Sequence, residues 1–283
     1  MKYFSRIKDT NFFFLYFRSV NRIFFKRAFG RWVVGHQSLS TSAWALRLEK
    51  KYPRFFRFLV LRFDVQHFRG LPLTSLICGI LLNVFILSQL ADEILELSKL
   101  HLLDQNLANY FYTNRNEVFA QFIYRFTRIG SSLIVLFILG LLSFFSFYKR
   151  RFHAWIAIAT ALGASTLTAY VGKVYYHFPR PLGLAWYEEL SYSFPSGHAT
   201  VAMAYYGILF YVWMMHMKSI AAKNLIFVFG IFFIVGMGFS RVYLGVHYLS
   251  DVLGGYAIGF VWLIFSIALL SWMDFRKEIR NKK

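Results

Sequence analysis

Three short polar clusters interrupt an otherwise apolar chain, and each lies at the edge of an apolar stretch. The first is KVYYHFPRP, Lys173 to Pro181, and the second is PSGH, Pro195 to His198. The third is SRVYLGVHYLSD, Ser240 to Asp251. Ionisable groups at the ends of membrane segments are costly, so clusters of them indicate a functional site.

The cations of these clusters are suited to binding a multiply charged anion. Arg180 and Arg241 carry guanidinium groups, which match phosphate oxygens in a two-pronged contact, and Lys173 adds a point charge. Ser196 and Gly197 stand where the next apolar stretch begins, so backbone amides and the positive end of a helix dipole also favour an anion there. Together these residues predict a phosphate-binding site.

The two imidazoles and the carboxylate of the clusters provide nucleophilic and acid–base chemistry. Asp251 follows His247 by four residues, so the two lie one turn apart if that segment is helical. Asp251 then holds one imidazole nitrogen as N–H and leaves the other as a nucleophile. His198 is free to protonate a leaving oxygen.

The apolar stretches predict an all-α, polytopic membrane protein with a six-transmembrane-helix core over residues 71–273. The chain is 58% apolar and 16% charged over 283 residues. A helix needs roughly 20 mostly apolar residues to cross the hydrocarbon core. Uncharged stretches of about that length cover residues 71–91, 131–148, 154–172, 198–217, 224–240 and 252–273.

The charge distribution predicts the orientation of these spans. Of the 32 Lys and Arg residues, 25 lie in residues 1–70, 149–153, 218–223 and 274–283. Because positive charge stays on the cytoplasmic side, both termini are predicted to be cytoplasmic and the three clusters to face outward. Residues 106–128 are interpreted as an outer amphipathic helix.

The termini and the remaining ionisable residues predict partners and exclude others. Residues 1–70 alternate cations with aromatics, as an interfacial segment on membrane lipids does, and residues 274–283 form a basic tail. Nucleic acid is not expected, because the charge borders membrane segments.

Asp251 is the only carboxylate in the clusters and Cys78 the only cysteine, so neither a metal nor another cofactor is predicted. Glu188 and Glu189 are predicted to lie in a solvated loop.

The three clusters, complete and in this order, resemble the motifs K-x6-RP, PSGH and SR-x5-H-x3-D of the type 2 phosphatidic acid phosphatase family. The resemblance implies a six-helix membrane core with a metal-free histidine phosphatase site. His247 is implied as nucleophile, Asp251 as the residue that orients it and His198 as general acid. The implied phosphate ligands are Lys173, Arg180, Ser196, Gly197 and Arg241.

The residues around the motifs, GFSRVYLGVHYLSDVLGG and SFPSGHAT, look like the bacterial branch of this family that acts on lipid phosphates and undecaprenyl diphosphate. This predicts a metal-independent phosphatase of the bacterial inner membrane with its active site on the periplasmic face. Phosphatidic acid and phosphatidylglycerol phosphate are further candidate substrates, because they are also lipid phosphates. The sequence leaves the choice among these lipids and the oligomeric state open.

Three other functions use some of the same features. A lipid phosphotransferase would pass the phosphoryl group from the same histidine to a lipid hydroxyl instead of water. A lipid binder or scramblase would need neither His247 nor Asp251, which disfavours it. Vanadate-dependent haloperoxidases have a similar anion site but are soluble proteins, and six membrane spans argue against that chemistry.

Overall fold

The chain divides into two compact units, Met1–Thr74 and Ser75–Lys283, and all predicted site residues belong to the second. The structure, a computed structural model, describes residues 50–53, 71–95, 99–149 and 152–280. Apart from residues 50–53, the predicted basic N-terminal segment lies outside the described residues.

The described residues form helices and turns without a β-strand, which confirms the all-α prediction. The helices are α1 (Leu71–Leu95), α2 (Lys99–Thr113), α3 (Glu117–Thr127), α4 (Ser132–Lys149), α5 (Phe152–Tyr176), α6 (Gly197–Val201), α7 (Gly207–His216), α8 (Ile220–Tyr243) and α9 (Leu249–Arg280). A 3-10 turn, Arg128–Gly130, follows α3, and a π-helical turn, Ala202–Tyr206, separates α6 from α7.

Among the described helices, three are long and apolar enough to cross a membrane: α5, α8 and the Leu249–Asp274 part of α9. A fourth span results if Glu117–Gly130 and Ser132–Tyr148, which meet at 44°, form one broken span. The chain is therefore a multi-pass helical protein by length and composition. The count of six spans stays a prediction.

α1 is a continuous helix over the span predicted at residues 71–91. Another predicted span differs from an unbroken helix. The span predicted over residues 198–217 is divided by the π turn. Tyrosines of this turn anchor it, since Tyr206 Oη donates to the Ile129 carbonyl oxygen (2.6 Å) and Tyr205 Oη to that of Val135 (3.3 Å).

The PSGH segment and the start of α9 approach each other closely because α9 presents two glycines. A Cβ atom on Gly255 would lie 2.5 Å from the Ser196 carbonyl oxygen, and one on Gly259 would lie 2.7 Å from that of Thr200. Any larger residue would force the two backbones apart. The glycines thus bring Ser196 next to the helical turn that carries Asp251.

Residues 99–127 form two helices, instead of the one outer amphipathic helix predicted over residues 106–128. α2 ends at Thr113, and Asn116 starts α3 by accepting the Phe119 amide at 3.0 Å through its side chain. Asp104 of α2 accepts the Ser250 amide at the start of α9 (3.1 Å), and Arg115 donates to the Leu184 carbonyl oxygen (2.7 Å). α2 and the turn that follows it thereby contact both the beginning of α9 and the loop that leads to PSGH.

Candidate active site

His247 and Asp251 form the centre of the site. His247 lies in the connection between α8 and α9, and Asp251 lies in the first turn of α9. His247 is 1% exposed and Asp251 2% exposed. His247 Nδ1 lies 3.2 Å from Asp251 Oδ2, which also accepts the Tyr248 amide at 2.8 Å. The carboxylate therefore fixes both the imidazole ring and the backbone beside it.

Arg180 contacts the opposite edge of the His247 imidazole, and this contact defines the tautomer of the ring. Arg180 Nη1 lies 3.2 Å from His247 Nε2. Because a guanidinium group can only donate, Nε2 carries the lone pair and Nδ1 carries the proton that Asp251 accepts. Burial, reinforced by the charges of Arg241 and Arg180, lowers the pKa of His247 well below its usual value. The imidazole is thus neutral, with its unprotonated nitrogen among cations.

The three predicted cations come together around His247. Arg180 Nη1 donates to the Val246 carbonyl oxygen at 2.6 Å, and Arg180 Nε to that of Ser191 at 2.7 Å. Lys173, at the end of α5, donates to the Ser193 carbonyl oxygen at 3.1 Å and to that of Tyr192. Arg241, at the end of α8, is fully buried. The convergence of the three motifs predicted from the sequence is therefore present.

The PSGH segment borders the same cluster, with one difference from the prediction. The Ser196 amide, expected to face an anion, donates instead to the Asp251 carbonyl oxygen at 2.9 Å. The Ser196 hydroxyl is buried and has no hydrogen-bond partner within the described part of the chain. A Cβ atom on Gly197 would meet no heavy atom within 4 Å, so packing does not require glycine there. These two residues are suited to face a ligand.

His198 is partly buried at the first turn of α6, beside the 3-10 turn that follows α3. A Cβ atom on Gly130 would lie 2.8 Å from His198 Cδ2, so the imidazole packs directly on the glycine backbone. His198 also interacts electrostatically with Glu189. His198 therefore belongs to the same electrostatic cluster as the arginines.

Three residues of the loop before PSGH also belong to the site, and the sequence motifs did not identify them. Ser193 is fully buried; its hydroxyl donates to Asp251 Oδ2 and lies 3.3 Å from His247 Nδ1. Tyr187 accepts a hydrogen bond from Arg241, and burial raises the pKa of its hydroxyl to about 12.

Glu189 is the third of these residues, and the prediction that it lies in a solvated loop was wrong. Its Oε2 lies 2.7 Å from Arg180 Nη2, and its Oε1 accepts from Arg241 Nη2. Burial by itself raises the pKa of this carboxyl, but Arg241 and Arg180 outweigh burial and hold the pKa below its usual value. Glu188, by contrast, is exposed as predicted.

The side chains of the site are suited to binding an anion. Across the residues that the structure describes, there is no group of three or more His, Cys, Asp or Glu side chains placed to hold a metal ion. Asp251 and Glu189 are instead committed to His247, Ser193 and the arginines. A buried neutral imidazole with a lone pair among three cations is suited to attack an electrophilic centre that carries negative charge.

The region of the chain that carries the site matches a known protein family. The profile of the PAP2 superfamily matches residues 154–275, a range that contains every predicted site residue. Residues 154–275 are thus a domain of this superfamily, the type 2 phosphatidic acid phosphatase family. The resemblance seen in the three motifs is thereby confirmed.

One protein sequence and one crystal structure, both from Bacillus subtilis, show what the chain is similar to. It is 31% identical over 134 residues to phosphatidylglycerophosphatase B of strain 168, a match that covers 47% of this chain and 66% of that protein. The crystal structure of a transmembrane PAP2 type phosphatidylglycerolphosphate phosphatase from the same species superposes with a TM-score of 0.60 and 24% identity. That superposition covers 72% of this chain and 97% of the other and shows that the fold is shared.

Proposed function

We propose that this protein is an integral membrane phosphatase that removes a terminal phosphate from a lipid phosphate or diphosphate. The observation that carries the proposal is the position of His247 Nε2, which is unprotonated and lies 3.2 Å from Arg180 Nη1 at the centre of the cation cluster. The relative named phosphatidylglycerophosphatase B supports a phosphatase, and its name favours phosphatidylglycerol phosphate as the first substrate to test.

The proposed reaction has two steps through a phosphohistidine. In the first, His247 Nε2 attacks phosphorus, the bond from phosphorus to the lipid oxygen breaks, and His198 gives a proton to that oxygen. In the second, His198 takes a proton from water, the water oxygen attacks phosphorus, and the nitrogen–phosphorus bond breaks. Free phosphate leaves, and both imidazoles return to their starting states.

The remaining site residues have supporting roles in this proposal. Asp251 keeps His247 in the tautomer with Nδ1 protonated and stabilises the positive charge that develops on the ring. Lys173, Arg180 and Arg241 neutralise the phosphoryl oxygens, and the Ser196 hydroxyl, with the open face of Gly197, adds a contact to them. No metal takes part, because the charge of the substrate is neutralised by side chains.

We place the enzyme in the bacterial inner membrane with its site on the periplasmic face. The support is the charge distribution, which leaves few cations in the connections that carry the three motifs. A membrane-embedded site also explains why the substrate has a lipid tail, since such a substrate reaches the site from the bilayer.

The test is phosphate release by the purified full-length protein from a panel of three lipids in detergent micelles. The panel contains phosphatidylglycerol phosphate, phosphatidic acid and undecaprenyl diphosphate, each with and without a lipid alcohol as acceptor. We expect phosphate release from at least one lipid without the acceptor, and none from the His247→Ala variant. Release that depends on the acceptor would identify a phosphotransferase, and no turnover of any lipid would contradict the proposal.

A further inference from the structure

The Glu189 carboxylate bridges the two arginines of the site. Its Oε2 contacts Arg180 Nη2 at 2.7 Å, and its Oε1 accepts from Arg241 Nη2 and from the Tyr187 hydroxyl, the latter at 3.1 Å. The Glu189 side chain is 23% exposed, and that of Arg241 is fully buried. The carboxylate thus reaches from the loop into the cation cluster.

A phosphoryl group and this carboxylate need the same donors. Arg241 Nη1 donates to Thr127 and Tyr187, and Arg241 Nη2 donates to Glu189. Guanidinium groups bind carboxylate and phosphate oxygens through the same planar fork of N–H groups. Arg241 Nε has no partner within the described residues, but Glu189 occupies Nη2 of both arginines. A phosphoryl group held by the Nη2 groups of both arginines must therefore take over donors that Glu189 occupies.

The two anions differ in charge, and this difference decides which of them the arginines hold. A carboxylate carries one negative charge, and a phosphodiester also carries one, whereas a phosphomonoester carries about −1.5 to −2 at neutral pH. Among three cations, the more highly charged anion gains more Coulomb energy. A terminal phosphate is thus a better competitor for the arginines than the diester headgroups of the surrounding membrane lipids.

We propose that Glu189 is a built-in competing ligand, which occupies the Arg180–Arg241 pair in the free enzyme and must be displaced by the substrate phosphate. It acts as a specificity-determining residue, because monoanions such as phosphodiester headgroups do not displace it while terminal phosphates do. The inference rests on the proposed function only in taking the arginine pair as the phosphoryl site. It adds that part of the discrimination comes from a carboxylate of the protein itself.

The test compares Glu189→Gln with Glu188→Gln in the purified full-length protein. Glutamine keeps an oxygen acceptor for the arginines but removes the charge, and Glu188 is the exposed neighbour of the same length. Isothermal titration calorimetry at neutral pH measures the binding of inorganic phosphate and of dimethyl phosphate, a monoanionic diester. We expect Glu189→Gln to bind phosphate about tenfold tighter or more, to bind dimethyl phosphate measurably, and Glu188→Gln to behave as wild type.

Unchanged or weaker binding of both anions by a folded Glu189→Gln variant would overturn the inference, because an ion pair that only supports the loop gives no gain. If that variant does not fold, Tyr187→Phe decides, since it removes the hydroxyl that donates to Glu189 and keeps the charge. A smaller gain in phosphate affinity then supports the inference, and no gain overturns it. The titrations need no turnover, so lack of phosphate release from the lipid panel would contradict only the proposed function.

Discussion

His247 Nδ1, just before α9, and Asp251 Oδ2, in the first turn of α9, lie 3.2 Å apart, and both side chains are almost fully buried. On the opposite side of the ring, Arg180 points an N–H group at Nε2. Asp251 therefore accepts a hydrogen bond from the protonated Nδ1 of the imidazole, and the positive charge of Arg180 disfavours a second proton on Nε2. This relationship is the physical basis for a neutral imidazole in a strongly cationic site.

The protonation of His247 gives the first prediction. A histidine is neutral above its pKa, so the lowered pKa of His247 extends its neutral form to more acidic pH. In the NMR spectrum of protein with nitrogen-15 labelled histidine, we expect the His247 signals to report protonated Nδ1 and bare Nε2 from about pH 5.5 to 7.5. The His247→Ala variant assigns the signals. Conversion to imidazolium near pH 6.5, as in a free histidine, would contradict the prediction.

The charge of Asp251 gives the second prediction. Asp251→Asn removes the acceptor that selects the Nδ1-protonated tautomer but leaves the attacking nitrogen, so kcat should fall by roughly 10²- to 10⁴-fold and stay above that of His247→Ala. Steady-state phosphate release measures this. Asp274→Asn is the matched control, because Asp274 lies near the other end of α9, where it pairs with His153. A loss of activity equal in both variants would show that Asp251 acts only through folding.

The sequence predicted the parts of the site that depend on local motifs. The charged and imidazole side chains of the three motifs are close together because each motif borders an apolar helix. These residues are Lys173, Arg180, His198, Arg241, His247 and Asp251. The sequence did not identify Ser193 or Glu189, which lie in an irregular loop where no periodicity indicates direction. The sequence did contain an indication of Glu189. Three cations close together favour a nearby carboxylate that neutralises part of their charge, and Glu189 lies nine residues before His198.

The fold was predictable in class but not in its interruptions. Apolar stretches identify helices because backbone groups in a bilayer must be satisfied internally. The π turn at Ala202–Tyr206 depends on tyrosines that bond to carbonyl groups 70 and 77 residues away, and single-sequence periodicity does not contain such contacts. The break between α2 and α3 was more accessible, because Asn116 is a strong helix-start residue.

Metal removal gives the third prediction. Hard cations need several oxygen ligands and zinc needs three or four ligands, whereas the two carboxylates of the site are bound to arginines, a histidine and a serine. Incubation with a chelator followed by gel filtration should leave phosphate release within about twofold of the untreated enzyme. Full loss that is reversed by adding a divalent metal would contradict the prediction.

The orientation in the membrane gives the fourth prediction. In a Cys78→Ser background, which removes the exposed native cysteine, Leu182→Cys should be labelled in intact cells by a membrane-impermeant maleimide. Leu182 is 87% exposed in the loop between the first two motifs. Lys51→Cys should be labelled only after the cells are permeabilised. The reverse pattern would contradict the orientation derived from the positive charges.

Covalent trapping of the phosphoryl group tests the proposed chemistry most directly. The purified enzyme is mixed with lipid substrate labelled in its terminal phosphate, quenched in alkali within milliseconds and separated from lipid. We predict a label on the protein that is stable in base and labile in acid, as a phosphohistidine is, and that is absent from His247→Ala. A His247→Ala variant that retains the label, or that turns over at close to the wild-type rate, would contradict the assignment of His247 as nucleophile.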